Sequence, residues 1–177
     1  MQVKKINFSL KNNTRRQLTL FVNQADAITI ESIRSRYNPL QQQLIAAHVT
    51  LCREDEIENI DTVLHNLENV NQGSVTVFFD EPKRFENGNG VMIPAAANNE
   101  AFQQLRNNIL AGVIDEPRMH QPHITLLHPR NSVCTDEIFA AIQQEKLPKQ
   151  LSFHAVSLIQ QTGGGVWVNL KNFSWLR

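Results

Sequence analysis

Two four-residue segments, His48-Val49-Thr50-Leu51 and His123-Ile124-Thr125-Leu126, carry one pattern: His, a β-branched apolar residue, Thr, Leu. With six histidines and nine threonines in 177 residues, composition alone gives about 0.3 His-x-Thr triplets, and roughly 0.01 once the apolar middle residue and the following Leu are required. Each segment lies in an apolar stretch that reads as a strand, and a strand points alternate side chains to the same face. His48 therefore shares a face with Thr50, and His123 with Thr125, while Val49/Leu51 and Ile124/Leu126 point the other way. If the apolar pairs enter a core, two imidazoles and two hydroxyls face a common space.

Around these segments the patterning predicts strands over 17–22, 44–51, about 74–85, 91–95, 120–128, 150–160 and 166–172. Helices are predicted over about 26–37, 56–68, 99–111 and 135–146, the second started by an Asp55 cap with Glu58 three residues on. Asn87-Gly88-Asn89-Gly90 is a hairpin signal, and Gly163-Gly164-Gly165 reads as a turn. The order helix, motif strand, helix, strand occurs twice, with approximate half-repeats over 17–85 and 91–172. The expectation is a single α+β domain over 1–177, two-lobed with pseudo-twofold symmetry. Each lobe is an antiparallel sheet with helices packed outside, the sheets facing each other across a central cleft.

Composition narrows the function classes. An apolar fraction of 41%, a charged fraction of 19% and only seven glycines and seven prolines describe a globular chain rather than a disordered one. Seventeen basic and 17 acidic residues cancel, so no global charge supports gripping a long nucleic acid. Residues 1–16 hold Lys4, Lys5, Lys11, Arg15 and Arg16 without the apolar centre of a signal peptide. No run approaches the ~18 apolar residues of a membrane span. Cys52 and Cys134 form no CxxC and no disulfide framework. A cytoplasmic monomer with no membrane partner is the simplest expectation.

Imidazole suits acid–base work because its ordinary pKa lies near neutrality, so one ring is neutral while another is protonated. Two rings on opposite sides of one phosphorus serve an in-line displacement, with His48 and His123 as the catalytic pair. Thr50 and Thr125 are placed to donate to the non-bridging oxygens. Arg130 and Arg36 are candidates for pairing with a phosphate, and Tyr37 and Trp167 for stacking a base. No metal is expected: on a strand His120 and His123 would face opposite sides, and no Asp, Glu or Cys lies between His120 and His128. No other cofactor is implied. His65 falls in the polar register of a helix, and His154 faces either the core or the cleft.

At these residues the chain resembles the two-histidine phosphoesterases, the 2′-5′ RNA ligase-like superfamily, whose signature is two His-x-Thr/Ser-x motifs, one per lobe. Arg36-Tyr37-Asn38-Pro39 is similar to the Arg-Tyr-Asp-Pro of some bacterial members, and Gln121-Pro122-His123-Ile124-Thr125-Leu126 to their Pro-Pro-His-Ile-Thr-Leu. The resemblance spans about residues 17–172. It implies a two-lobed fold with both histidines in the cleft, and activity on 2′,3′-cyclic phosphates or 2′-5′ linkages of RNA ends or nucleotides. The alternative is a module of the same fold that binds a nucleotide or RNA end without turnover. The chain departs from the pattern in carrying Ala46-Ala47 where a proline precedes the first histidine, and Asn38 in place of the aspartate.

Overall fold

A computed structural model describes residues 13–70, 73–86, 88–96 and 99–175. The basic positions Lys4, Lys5 and Lys11, and Asn87 of the expected hairpin turn, lie outside them. The chain runs β1 (Thr14–Phe21), α1 (Ile28–Tyr37), α2 (Pro39–Leu44), β2 (His48–Cys52), α3 (Ile60–Asn69), β3 (Val75–Phe78), β4 (Lys83–Arg84), β5 (Val91–Pro94), α4 (Glu100–Leu110), β6 (His123–Leu127), α5 (Asp136–Gln143), β7 (Gln150–Phe153), β8 (Ala155–Thr162) and β9 (Val168–Ser174). A 3-10 turn, Glu54–Glu56, follows β2.

Seven strands form one antiparallel sheet in the order β4-β5-β6-β2-β1-β8-β9, and β3 pairs with β7 in a second, two-stranded sheet. The expected antiparallel α+β class is found. The lobes are joined edge to edge rather than stacked: β2 meets β6 at one registered pair, Val49 opposite Ile124, whereas β1 and β8 pair over six residues. The sequence halves do not each close on themselves. β8 and β9 return to lie beside β1, and β3 takes its partner from the C-terminal half. The helices also cross over, α1 packing on β6 and α4 on β2 and β3.

The alternation in the motif strands is realised. Val49, Leu51, Ile124 and Leu126 are fully buried, while His48, Thr50, His123 and Thr125 are only half-buried. The apolar side chains meet Ile30 and Ile33 of α1 and Phe102, Leu105 and Ile109 of α4 in one core. Each such residue contributes about 1.5–3 kcal/mol by leaving water, which fixes the polar face of both strands outward.

Several element boundaries differ from the sequence expectation. The helix predicted from 56 starts at Ile60, capped by the Asn59 side chain rather than Asp55, because Glu54–Glu56 is held in its own turn. The run at 150–160 breaks at the exposed His154 into β7 and β8, which belong to different sheets. The expected long strand at 74–85 is two short ones, β3 and β4, in separate sheets. The strand predicted over 120–128 begins only at His123, since Pro122 has no N–H to give a ladder.

Candidate active site

Antiparallel pairing about Val49 and Ile124 sets His48 across from Thr125 and Thr50 across from His123, with the local twofold between them. The cleft-facing groups thus form a square in which each histidine neighbours the other motif's threonine. All four line one cavity of about 320 Å³.

The two rings are held alike. His48 Nδ1 lies 2.8 Å from the Ala46 carbonyl, and His123 Nδ1 lies 3.3 Å from the Gln121 carbonyl. A carbonyl only accepts, so each neutral ring carries its proton on Nδ1 and leaves the Nε2 lone pair for a substrate. Each ring also meets a phenylalanine edge-on, Phe21 at 6.1 Å for His48 and Phe85 at 5.8 Å for His123. Burial lowers the His48 pKa to about 4, helped by Arg34, His123 and His128 and opposed by the Ala46 carbonyl. Burial also lowers that of His123, against the Gln121 carbonyl and with Arg53 and Lys83. Both rings are therefore neutral bases at neutral pH, and an anion between them favours the protonated form.

The overall charge of zero conceals a positive cavity. Arg15, Arg34, Arg53 and Arg130 line it against a single carboxylate, Glu54, which is paired with Arg15 at 3.6 Å. Arg34 is buried and committed to Glu31 at 2.7 Å and the Ile45 carbonyl at 2.6 Å. Among the described residues no carboxylate pairs with Arg53 or Arg130.

Beneath the far wall, Arg106 of α4 is fully buried and ties three segments together. It donates to the Leu51 carbonyl of β2, to Glu56 at 2.7 Å and to the Arg118 carbonyl. Burial alone would raise the Glu56 pKa, but hydrogen bonds from Arg106, Arg118 and the Arg53 N–H hold it at about 2. This anchors β2 beside Thr50 to the segment that leads into His123.

Of the residues singled out in the sequence, Trp167 and Arg130 join the cavity wall. Arg15 sits over the Trp167 ring at 5.4 Å, and the Trp167 backbone N–H donates to the Leu44 carbonyl. Tyr37 does not reach the cavity. It packs half-buried against the core with the exposed Arg36 over its ring at 5.7 Å, because α1 turns that face inward. His65 and His154 are exposed. His120 departs from the opposite-face expectation: lying before the strand, it is buried on Phe102 and its ring is 6.5 Å from that of His123. Among the described residues no three His, Cys, Asp or Glu side chains group to hold a metal ion. Sequence reasoning missed Arg15, Gln41, Arg53 and His128. Of these, Arg53 and His128 were signalled by place alone, each standing five residues past a motif histidine.

The model of the 2′-5′ RNA ligase superfamily matches residues 22–165. No curated protein matches the chain by sequence. Among solved structures, E. coli LigT complexed with NADP+ superposes with a TM-score of 0.65 at 18% identity, covering 93% of this chain and 98% of that one. E. coli LigT complexed with 3′-AMP gives 0.64 at 17%, covering 93% and 99%. A conserved protein of unknown function from Agrobacterium tumefaciens, ATU0111, gives 0.58 at 12%, covering 91% and 86%. At these identities the structures establish the fold, and the sequence match establishes that the chain belongs to the 2′-5′ RNA ligase superfamily.

Proposed function

We propose that the protein is a phosphodiesterase of the two-histidine type, opening 2′,3′-cyclic phosphates or cleaving 2′-5′ bonds at RNA ends or in nucleotides. The observation that carries this reading is the square of His48, Thr125, His123 and Thr50 about one antiparallel pair, in a cavity where, among the described residues, Arg53 and Arg130 pair with no carboxylate. The solved LigT complexes with 3′-AMP and NADP+ support a nucleotide as the ligand class.

In ring opening, the Nε2 of one histidine takes a proton from water as the water oxygen attacks phosphorus. The other histidine, protonated at Nε2 under the field of the bound anion, gives its proton to the departing ribose oxygen. One P–O bond forms, one breaks, and a phosphomonoester remains. Thr50 and Thr125 donate to the non-bridging oxygens, where charge grows, and Arg53 offsets it. Solvent then restores the protonation states. No step calls on a metal or other cofactor.

Incubation with the four 2′,3′-cyclic mononucleotides and with 2′-5′-linked dinucleotides, in EDTA, tests the reading. Turnover of at least one class is expected to persist on chelation, with a bell-shaped pH profile that belongs to the coupled pair. Binding of all and turnover of none would make the protein a nucleotide-binding module. Activity lost on chelation and restored by a divalent ion would overturn the two-histidine mechanism. Among the described residues no helix is long and apolar enough to cross a membrane.

A further inference from the structure

Two hydrogen-bond donors meet on the cavity wall with no acceptor between them. His128, the first residue past β6, is pinned through its backbone: its N–H donates to Asn38 Oδ1 at 2.7 Å, and Ser132 Oγ donates to its carbonyl at 2.7 Å. The Arg130 backbone N–H lies 3.2 Å from His128 Nδ1. An N–H only donates, so Nδ1 accepts and the neutral ring carries its proton on Nε2. That nitrogen is 3.4 Å from Arg130 Nη2, which also only donates. Burial, with Arg130 and Arg15 nearby, keeps the His128 pKa at about 4, so the ring stays neutral.

A third donor stands on the same wall. Gln41 accepts from Asn131 Nδ2 at 3.1 Å through its Oε1, which leaves its amide N–H groups for another partner. Asn131 is in turn bound by Asn38, so one buried asparagine fixes both His128 and the residue that orients Gln41. Three donors line one cavity, whose carboxylate, Glu54, is paired with Arg15, and among the described residues none of the three is paired with a carboxylate. Such a set fits an oxyanion, and a guanidinium fits a phosphate oxygen best.

We propose that His128, Arg130 and Gln41 form a second anion subsite beside the His48–His123 pair, which takes a second phosphoryl group of the same substrate. This rests on the reading of the cleft as a phosphodiesterase site. It narrows the substrate to nucleotides carrying two phosphates. Either a terminal phosphomonoester or an internucleotide diester supplies the oxygens.

Calorimetric titration of the intact protein with three ligands tests this without turnover: adenosine 3′-monophosphate, adenosine 3′,5′-bisphosphate and the dinucleotide ApAp. At least one two-phosphate ligand is expected to bind about 10-fold or more tightly than the monophosphate, the scale of a charge-assisted contact. The tighter of the two identifies the second phosphate as monoester or diester. In Arg130→Gln, a change at an exposed side chain, the gap is expected to close to about threefold or less, and His128→Phe should narrow it as well. Equal affinities for all three ligands in the wild type would overturn the subsite, as would a gap that survives both substitutions together. If turnover is absent but the gap is present and sensitive to Arg130, the phosphodiesterase reading fails and the subsite stands.

Discussion

The two motif strands present the same chemistry to the cleft, yet they are supported differently. In front of His123 stands Pro122, which has no N–H to satisfy. In front of His48 stands Ala47, whose N–H is exposed to the same dry surroundings and needs an acceptor. Glu31 supplies it, accepting the Ala47 N–H at 2.5 Å, and Arg34 holds Glu31 in place at 2.7 Å while reaching the Ile45 carbonyl. What a proline does at one motif, an ion pair from α1, its arginine buried, does at the other. The departure from the family's proline at Ala46-Ala47 is thus absorbed by two side chains 13 to 16 residues upstream. Chemical equivalence at the site does not require equivalent scaffolding.

Breaking the Glu31 support should have the larger effect. Glu31→Ala strands the buried Arg34 and the Ala47 N–H and should cost about 3 kcal/mol, the lower end for breaking a buried pair, since Glu31 keeps some contact with solvent. Urea unfolding measures it. Adding Ala47→Pro to that variant removes the orphaned N–H and should recover part of the loss. A Glu31→Ala protein within about 0.5 kcal/mol of wild type, the range of an inert surface change, would mean that the first motif needs no such brace.

Next in size are the hydroxyls. Thr50→Val and Thr125→Val keep the strand shape and should each remove about 1–3 kcal/mol of transition-state binding, read as kcat/KM on a cyclic nucleotide. Because each threonine neighbours the opposite histidine about one twofold, the two losses should be similar. Unaltered kcat/KM in both variants would make the hydroxyls structural.

Stability against acid tests the same burial over pH rather than by substitution. The His48, His120 and His128 pKa values are about 4 in the fold and 6.5 when unfolded. Between those values the unfolded chain binds more protons, so stability is full above pH 6.5 and falls as pH drops toward 4. Glu56, lowered from 4.5 to about 2, adds a further loss below pH 4.5. Tm should decline through this window, and inorganic phosphate should slow the decline by favouring protonated rings. A flat or rising Tm between pH 7 and 4.5 would contradict the burial of these histidines.

The motif strands were legible because they obey a local rule: period-two alternation put Val49, Leu51, Ile124 and Leu126 inside and the histidines and threonines outside. α4 and α5 were legible from their apolar spacing. Sheet membership was not, because it depends on partners far along the chain. Nothing local separates β7 from β8, which join different sheets, or tells β8 to return to β1. The polar helix α2 buries none of its residues, so it carries no periodic signal. The site divided in the same way. Both histidines and both threonines could be read from the strand pattern. Arg15 of β1 and Gln41 of α2 reach the cavity through chain crossings that no spacing encodes, and Arg53 and His128 lie just past the motif strands, where the period-two rule no longer says which way a side chain points. Tyr37 was misplaced because a ring on a helix can serve the core or the cleft, and only packing decides.

The central claim is that His48 and His123 act as one acid–base pair on a single phosphorus. Turnover of a 2′,3′-cyclic mononucleotide by His48→Ala, His123→Ala and the double variant tests it most directly. Each single change is expected to lower kcat by at least ~100-fold with the fold intact by circular dichroism, and the double change to be little worse than either, since the two groups serve one step. Near-wild-type turnover from either single variant, or two losses that multiply in the double, would contradict it.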